Sequence, residues 1–395
     1  MPRLVVILVL SAYSLGLHAQ ELATRMAATD YHLSADDTQT LAVDVEALAF
    51  FKDNEFDGEH VTGYTLPGFR LQPRLTYQPH DAVRIEAGVH ALIFSGANKY
   101  PCFAYHDIAR WKGNQYQRGA HLLPFLRAQA QVGCVNFVFG TLYGGANHGL
   151  VEPMMNAEVN LSQDPEMGFQ ILVDKPRYHL DTWINWQSFI FREDTHQEAL
   201  TFGLSQRIAL NEPQSPMAVY LPIDILMQHR GGEIDSTDMG VQTFDNAALG
   251  LGLRWHADGR IVNSLTAEAT GLFSWQQFGE VWPFRTGFGA SLTLSADVLR
   301  ECRLFATTVW ARDFCTLYGS PFFCTYSTEF GRDFSHGLTS HIGAEWSHTF
   351  SPSCILGAKV DTYLCSFANE SMGFNFSVGF FLRCSPRFIL KRFTR

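Results

Sequence analysis

Beyond its first residues the chain lacks any apolar run of the roughly 18 residues that a membrane-spanning helix needs. It has no basic stretch, and its formal net charge is −10, which argues against a nucleic-acid partner. None of its eight cysteines stands in a CxxC or Cys/His spacing, so no zinc site is read and no metal or cofactor is expected. No linker or break in composition divides the chain, which points to one domain. A hydrophobic content of 46% with a mean hydropathy of −0.04 would by itself suggest a soluble protein. That average is blind to apolar residues placed at every second position.

The N-terminus carries an export signal. Arg3 supplies a positive start, residues 4–17 an apolar core, and Leu17-His18-Ala19 a cleavage site before Gln20. Residues 1–19 are therefore read as a signal peptide and residues 20–395 as the mature domain. No cysteine follows the cleavage region, so a lipid anchor is not expected. The compartment beyond permits disulfides. Cys354 and Cys384 fall at facing ends of the last two predicted strands, and Cys315 and Cys324 share one long connection. Either pair can bridge, and spacing alone does not decide the connectivity.

What the sequence does contain is alternation. In residues 69–78, Phe69, Leu71, Pro73, Leu75 and Tyr77 share one strand face, while Arg70, Gln72, Arg74, Thr76 and Gln78 share the other, because strand side chains point to opposite faces in turn. The same phase recurs. Val219, Leu221, Ile223, Ile225 and Met227 oppose Tyr220, Asp224 and Gln228, and Phe374, Phe376, Val378, Phe380 and Leu382 oppose Asn375, Ser377 and Gly379. Strands are predicted at 41–52, 69–78, 83–94, 122–132, 135–143, 168–174, 179–191 and 200–210. They continue at 217–228, 247–255, 265–275, 287–296, 302–311, 340–349, 355–365 and 372–383, about sixteen in all.

Turns after even-numbered strands are short, such as Gly133-Cys134, and those after odd-numbered strands are mostly long, such as residues 96–121, 144–167, 229–246 and 312–339. Transmembrane barrels have short periplasmic turns and longer external loops. The fold class is therefore all-β: a closed antiparallel up-and-down transmembrane β-barrel in the cell outer membrane. A soluble sandwich or propeller would have to bury the polar face instead, and propeller-blade repeats are missing.

Turning the polar face inward gives a lumen with both signs of charge, since Arg or Lys facing mid-membrane lipid would cost roughly 2–4 kcal/mol. Arg70, Arg74, Arg84, Glu86, Arg127, Asp181, Asn185, Glu268, Lys359 and Asp361 are the candidate channel-lining residues, able to bias the passage of charged solutes or to pair and hold the wall together. Arg207, Arg254, Asp44, Glu46, Asp224 and Glu345 fall on the same face. Asn147, His148, Trp183 and Gln187 lie at or near the outer rim and are candidate ligand contacts, since stacking aromatics beside amides suit a polar organic ligand such as a sugar. Trp186 is assigned to the aromatic girdle. The acid spacing from Asp53 to Glu59 resembles a calcium loop, but the twelfth position is Tyr64 rather than Glu, so it is read as a hairpin tip. His148, His196 and Ser188 offer residue types for catalysis without any recognised spacing. The chain is expected not to be an enzyme.

The signal, the alternation and the aromatic strand 374–383 resemble bacterial outer-membrane β-barrels. The chain ends in a basic tail, 387–395, rather than a terminal Phe. Segments FFKDNEF, GANKYP, WKGNQYQRGAH, GGANHG and WINWQSFIFREDTHQE resemble an uncharacterised outer-membrane family of Bacteroidota. That resemblance covers roughly the N-terminal half and implies no known substrate. Outer-membrane lipid and lipopolysaccharide are the expected surroundings, the barrel-assembly machinery is expected to insert the protein, and no nucleic acid is expected. With no plug domain or TonB box recognised, the expected function is a porin-like channel for small polar or charged solutes, with the 96–121 connection narrowing its entrance. A glycan-binding or polysaccharide-transport barrel is the alternative, and a lipid-modifying hydrolase stands third.

Overall fold

The computed structural model describes residues 22–393, apart from 29, 59, 97–118, 145–147, 191–195, 213–214, 233–239, 258, 260, 300 and 369. The segment read as a signal, most of the 96–121 connection and Asn147 lie outside the described residues.

Alternation dictates strands, and the strands close on themselves. In chain order they are β1 (Thr40–Asp57), β2 (Thr62–His80), β3 (Val83–Phe94), β4 (Gly119–Val132), β5 (Val135–Thr141), β6 (Met167–Lys175), β7 (Tyr178–Ser188) and β8 (Ala199–Ala209). Next come β9 (Met217–Arg230), β10 (Gln242–His256), β11 (Val262–Phe278), β12 (Thr286–Val298) and β13 (Cys302–Arg312). β14 (Tyr326–Ser327) and β15 (Arg332–Asp333) form a small separate hairpin, and the wall resumes with β16 (His336–Ser351), β17 (Cys354–Phe367) and β18 (Gly373–Cys384). Each wall strand pairs antiparallel with the next, and β18 returns to β1 with Phe380 opposite Phe51. The wall is thus a closed 16-stranded barrel. Among the described residues no helix is long and apolar enough to cross a membrane; the crossing is made by strands.

The expected strands are present and most are longer, although β5 and β7 end earlier than expected, at Thr141 and Ser188. At about 3.3 Å per residue, the 19 residues of β2 extend about 60 Å, well past an apolar band about 25 Å tall even when tilted. Amphipathic signal fades where the membrane ends, while the hydrogen-bond ladder continues. A further strand lies in the basic tail. Residues 387–392 form β19 (Arg387–Arg392), which pairs with Thr40–Asp44 of β1 beyond the end of β18.

The outer surface is apolar. Leu75, Ile85, Leu126, Leu249, Leu294, Ile342 and Phe380 are all exposed on it, as a lipid-facing wall requires. The inner face carries the buried polar residues, together with a few large rings. Trp183 lies flat on Gly203 of the neighbouring strand and Tyr220 on Gly252, at distances where any Cβ would collide with the ring. Glycine at these two positions is what lets an inward aromatic fold down onto the wall.

Candidate functional site

The lumen is not an open tube. Three stretches outside the wall strands enter it: the described residues of 22–38 from the short-turn end, and those of 142–166 and 313–335 from the long-loop end. The two loop stretches share an apolar core inside the barrel. Leu150, Val151, Met154 and Val159 of the first and Phe314, Leu317, Tyr318 and Phe323 of the second pack against inward Trp183, Leu226, Phe244, Leu272 and Val309 of the wall. The strand alternation is intact there, but several inward positions near the rim are apolar rather than polar. Expecting water inside hid this core from the sequence. A smaller cluster joins Leu22 and Met26 of the N-terminal stretch to Leu48, Phe50 and Leu92 of the wall and to Leu161 of the first loop.

Charge fixes the first loop in place. The His148 ring sits between two carboxylates, with Nδ1 2.8 Å from Asp181 Oδ2 and Nε2 2.6 Å from Glu166 Oε2. It also stacks on Trp183, centroids 3.6 Å apart. Burial disfavours the imidazolium, but Glu166 and Asp181 outweigh it and hold the His148 pKa up at about 10. On the opposite side the arrangement recurs with loop and wall exchanged. His341 of β16 contacts Glu152 of the loop through Nδ1 and Asp361 of β17 through Nε2 at 2.9 Å, and it stacks on Tyr363. Glu152 is itself buried, which raises its pKa, but the His341 charge pulls it below the usual carboxylate range. Lys52, Asn54 and Tyr64 converge on Glu158. The Val151 amide donates to Asp224 at 2.9 Å, and Arg207 pairs with the same carboxylate at 2.8 Å. The two loops are joined by the Asn156 amide donating to the Tyr318 carbonyl at 2.7 Å.

Between these stretches remains a chamber of about 630 Å³, faced by Tyr31, Arg207, Glu268, Arg303, Glu345 and Lys359 among others. That is the size of a small-molecule site. All ten residues expected to line a channel are on the inner face, and the structure shows what each meets. Glu86 lies between Arg74 (3.2 Å) and Arg127 (3.0 Å). Arg84 reaches Gln129 and Tyr143, and Arg70 donates to the Asn160 carbonyl. Asp181 binds His148, Asn185 accepts from the Met167 amide, Glu268 accepts from Tyr220, and Lys359 pairs with Glu345 and Asp361. Cross-strand and loop-to-wall pairing occupies most of this face. Of the expected ligand contacts, His148 and Trp183 are buried against each other. Gln187 accepts from Thr201 and Gln228 and donates to Tyr318. Trp186 faces outward and stacks on Phe189.

The residue types singled out for catalysis are not assembled. His148 is taken up by carboxylates, and His196 Nε2 meets the Phe189 carbonyl oxygen at 3.0 Å. Two hydroxyl–imidazole pairs stand elsewhere, at the long-loop rim. Thr243 Oγ1 lies 2.9 Å from His229 Nδ1 and Ser335 Oγ 3.1 Å from His336 Nδ1. His229 is directly opposite Thr243 in the β9–β10 ladder, on the same outward face as Ile225 and Met227. Asp245 follows Thr243 on that face, beside Met227 and Trp275. Sequence reasoning put residues 229–246 in a loop, so the register that aligns these groups was invisible to it.

The family comparison is decisive for class. The chain matches, over residues 33–393, the family described as lipid A 3'-O-deacylase-type, and it belongs to that family. This is an enzyme family, so the expectation that the protein is not an enzyme is overturned. The resemblance to bacterial outer-membrane barrels stands, and the outer membrane is its location. No curated protein sequence matches it. Among solved structures it is similar to Pseudomonas aeruginosa OpdK with vanillate, at 10% identity and a TM-score of 0.47 over 89% of this chain and 100% of that one. It is also similar to a loop-deletion mutant of Vibrio cholerae OmpT, at 11% identity and a TM-score of 0.48 over 88% and 99%. A BenF-like porin from Pseudomonas fluorescens matches at 9% identity and a TM-score of 0.49 over 89% and 100%.

Proposed function

We propose that this barrel hydrolyses an acyl ester of lipid A in the outer leaflet. The observation that carries the reading is the family match, which spans the barrel from before its first strand to the end of its last. The loops packed into the lumen agree with it, because a barrel partly filled by its own loops serves steady diffusion poorly. Ester hydrolysis needs a nucleophile activated by a base within hydrogen-bond reach. The Thr243–His229 pair offers one at the long-loop end of the β9–β10 ladder, with Thr243 buried and His229 half-buried, where lipid headgroups meet the apolar belt. There His229 would accept the hydroxyl proton as Thr243 Oγ1 attacks the acyl carbon, then return it to the departing alcohol. Water would release the acyl group in a second step.

The test is mass spectrometry of lipid A from cells with and without the protein. Loss of one ester-linked acyl chain supports the reading, and an unchanged lipid A profile at full expression overturns it. His229→Ala should abolish the loss, with His336→Ala as the comparison.

A second reading rests on the charged chamber: porin-like passage of small polar or charged solutes. A steady single-channel current across a planar bilayer would favour it.

A further inference from the structure

Four of the described cysteines meet in pairs across antiparallel backbone. At the short-turn end the Ser385 amide donates to the Ser353 carbonyl at 2.7 Å. The next pair in that ladder, Cys354 opposite Cys384, therefore falls between hydrogen-bonded pairs. At such positions Cα atoms approach to about 4.5 Å and side chains are closest. The two Sγ atoms are 3.8 Å apart. Inside the lumen the relation repeats. The Thr325 amide donates to the Phe314 carbonyl at 2.9 Å and the Phe314 amide to Thr325 Oγ1 at 2.9 Å, which sets Cys315 opposite Cys324. Both of these are buried in the apolar core that the second inward loop shares with the wall, where their side chains interact.

We propose that the exported protein carries two disulfides, Cys354–Cys384 and Cys315–Cys324. The separation typical of such facing pairs lies within the roughly 4.4–6.8 Å of Cα distance that a disulfide spans, and the barrel is assembled beyond the reducing cytoplasm. Each bond forms by exchange. A thiolate attacks the disulfide of a dithiol–disulfide oxidant, and the second cysteine resolves the mixed disulfide. The protein loses two protons and two electrons per bond, and the oxidant leaves as a dithiol. The first bond ties the hairpin whose second strand closes the barrel on β1. The second staples the inward loop that fills the long-loop mouth, so both reinforce closure rather than surface chemistry. Cys134, Cys302 and Cys365 have no such facing cysteine among the described residues.

The experiment uses full-length protein extracted from outer membranes, denatured and alkylated without reductant, then digested for peptide mass spectrometry. The expected result is two cross-linked peptide pairs, 354 with 384 and 315 with 324, with alkyl groups on Cys134, Cys302 and Cys365. Cys354→Ser should leave Cys384 alkylated and the 315–324 link intact. Because labelling is read on denatured chains, the result does not require this variant to fold. Alkylation of all four cysteines in the wild-type protein, or links in any other pairing, overturns the proposal. Neither outcome bears on whether lipid A is the substrate.

Discussion

Replacing His148 with alanine should loosen the first inward loop while leaving the wall intact. The substitution removes a positive charge held between Asp181 and Glu166 and leaves two carboxylates facing each other in a dry interior. Removing one partner of a buried pair costs about 3–5 kcal/mol. The lost stack on Trp183 adds about 0.5–1.5 kcal/mol. Asp181 keeps one donor, Gln170 Nε2 at 2.8 Å, and Glu166 keeps Asn185 Nδ2 at 3.4 Å. These retained bonds offset the stacking loss, so the bottom of the first range is the guide for the total. About 3 kcal/mol, at about 1.36 kcal/mol per power of ten, corresponds to a local opening equilibrium shifted about a hundredfold. The penalty falls on the docked state alone, because in the undocked loop both carboxylates are hydrated. Amide hydrogen exchange followed by mass spectrometry should show residues 149–163 exchanging about a hundredfold faster in the variant, with peptides of β6 and β7 unchanged. Equal exchange of that segment in both proteins would refute the role assigned to the two carboxylates.

The same contact predicts a pH dependence. The folded pKa of His148 is raised from 6.5 to about 10, so its contribution is fully present below about 6.5 and is lost as pH rises through about 10. Proteolytic nicking within residues 149–163 should accelerate as alkaline pH approaches that upper value, and the His148→Ala protein should show a flatter profile; parallel profiles would count against the assignment. On the lipid side, Leu249→Arg places a charge on an exposed apolar position of β10. It should cost roughly 2–4 kcal/mol if the site lies near the bilayer midplane, read from urea unfolding in lipid vesicles, and a neutral effect would mean this face does not meet lipid.

Much of the wall was legible because a lipid-spanning strand writes its two environments into alternate residues. Arg70, Arg74 and Arg127 could be placed inward, and Leu75 and Ile225 outward, without any coordinates. Turn lengths gave the parity. The strand in the basic tail has no amphipathic signal, because residues 387–392 are exposed on both faces, although β1 offers them a free edge. The ring between two carboxylates was equally hidden. His148 stands 33 positions from Asp181 and 18 from Glu166, and nothing local marks them as partners.

Residue order alone therefore settled the barrel, its inside and its outside, since those depend on neighbours two apart along one strand. Whether the inside is open depended on loops folding back across the lumen, and on which inward side chains near the rim are apolar enough to receive them. Several of those contacts join residues a hundred or more positions apart, such as Lys52 with Glu158 and Glu152 with His341. Only closure of the sheet brings them within reach, because the charge and apolar surface they bury have no local signature.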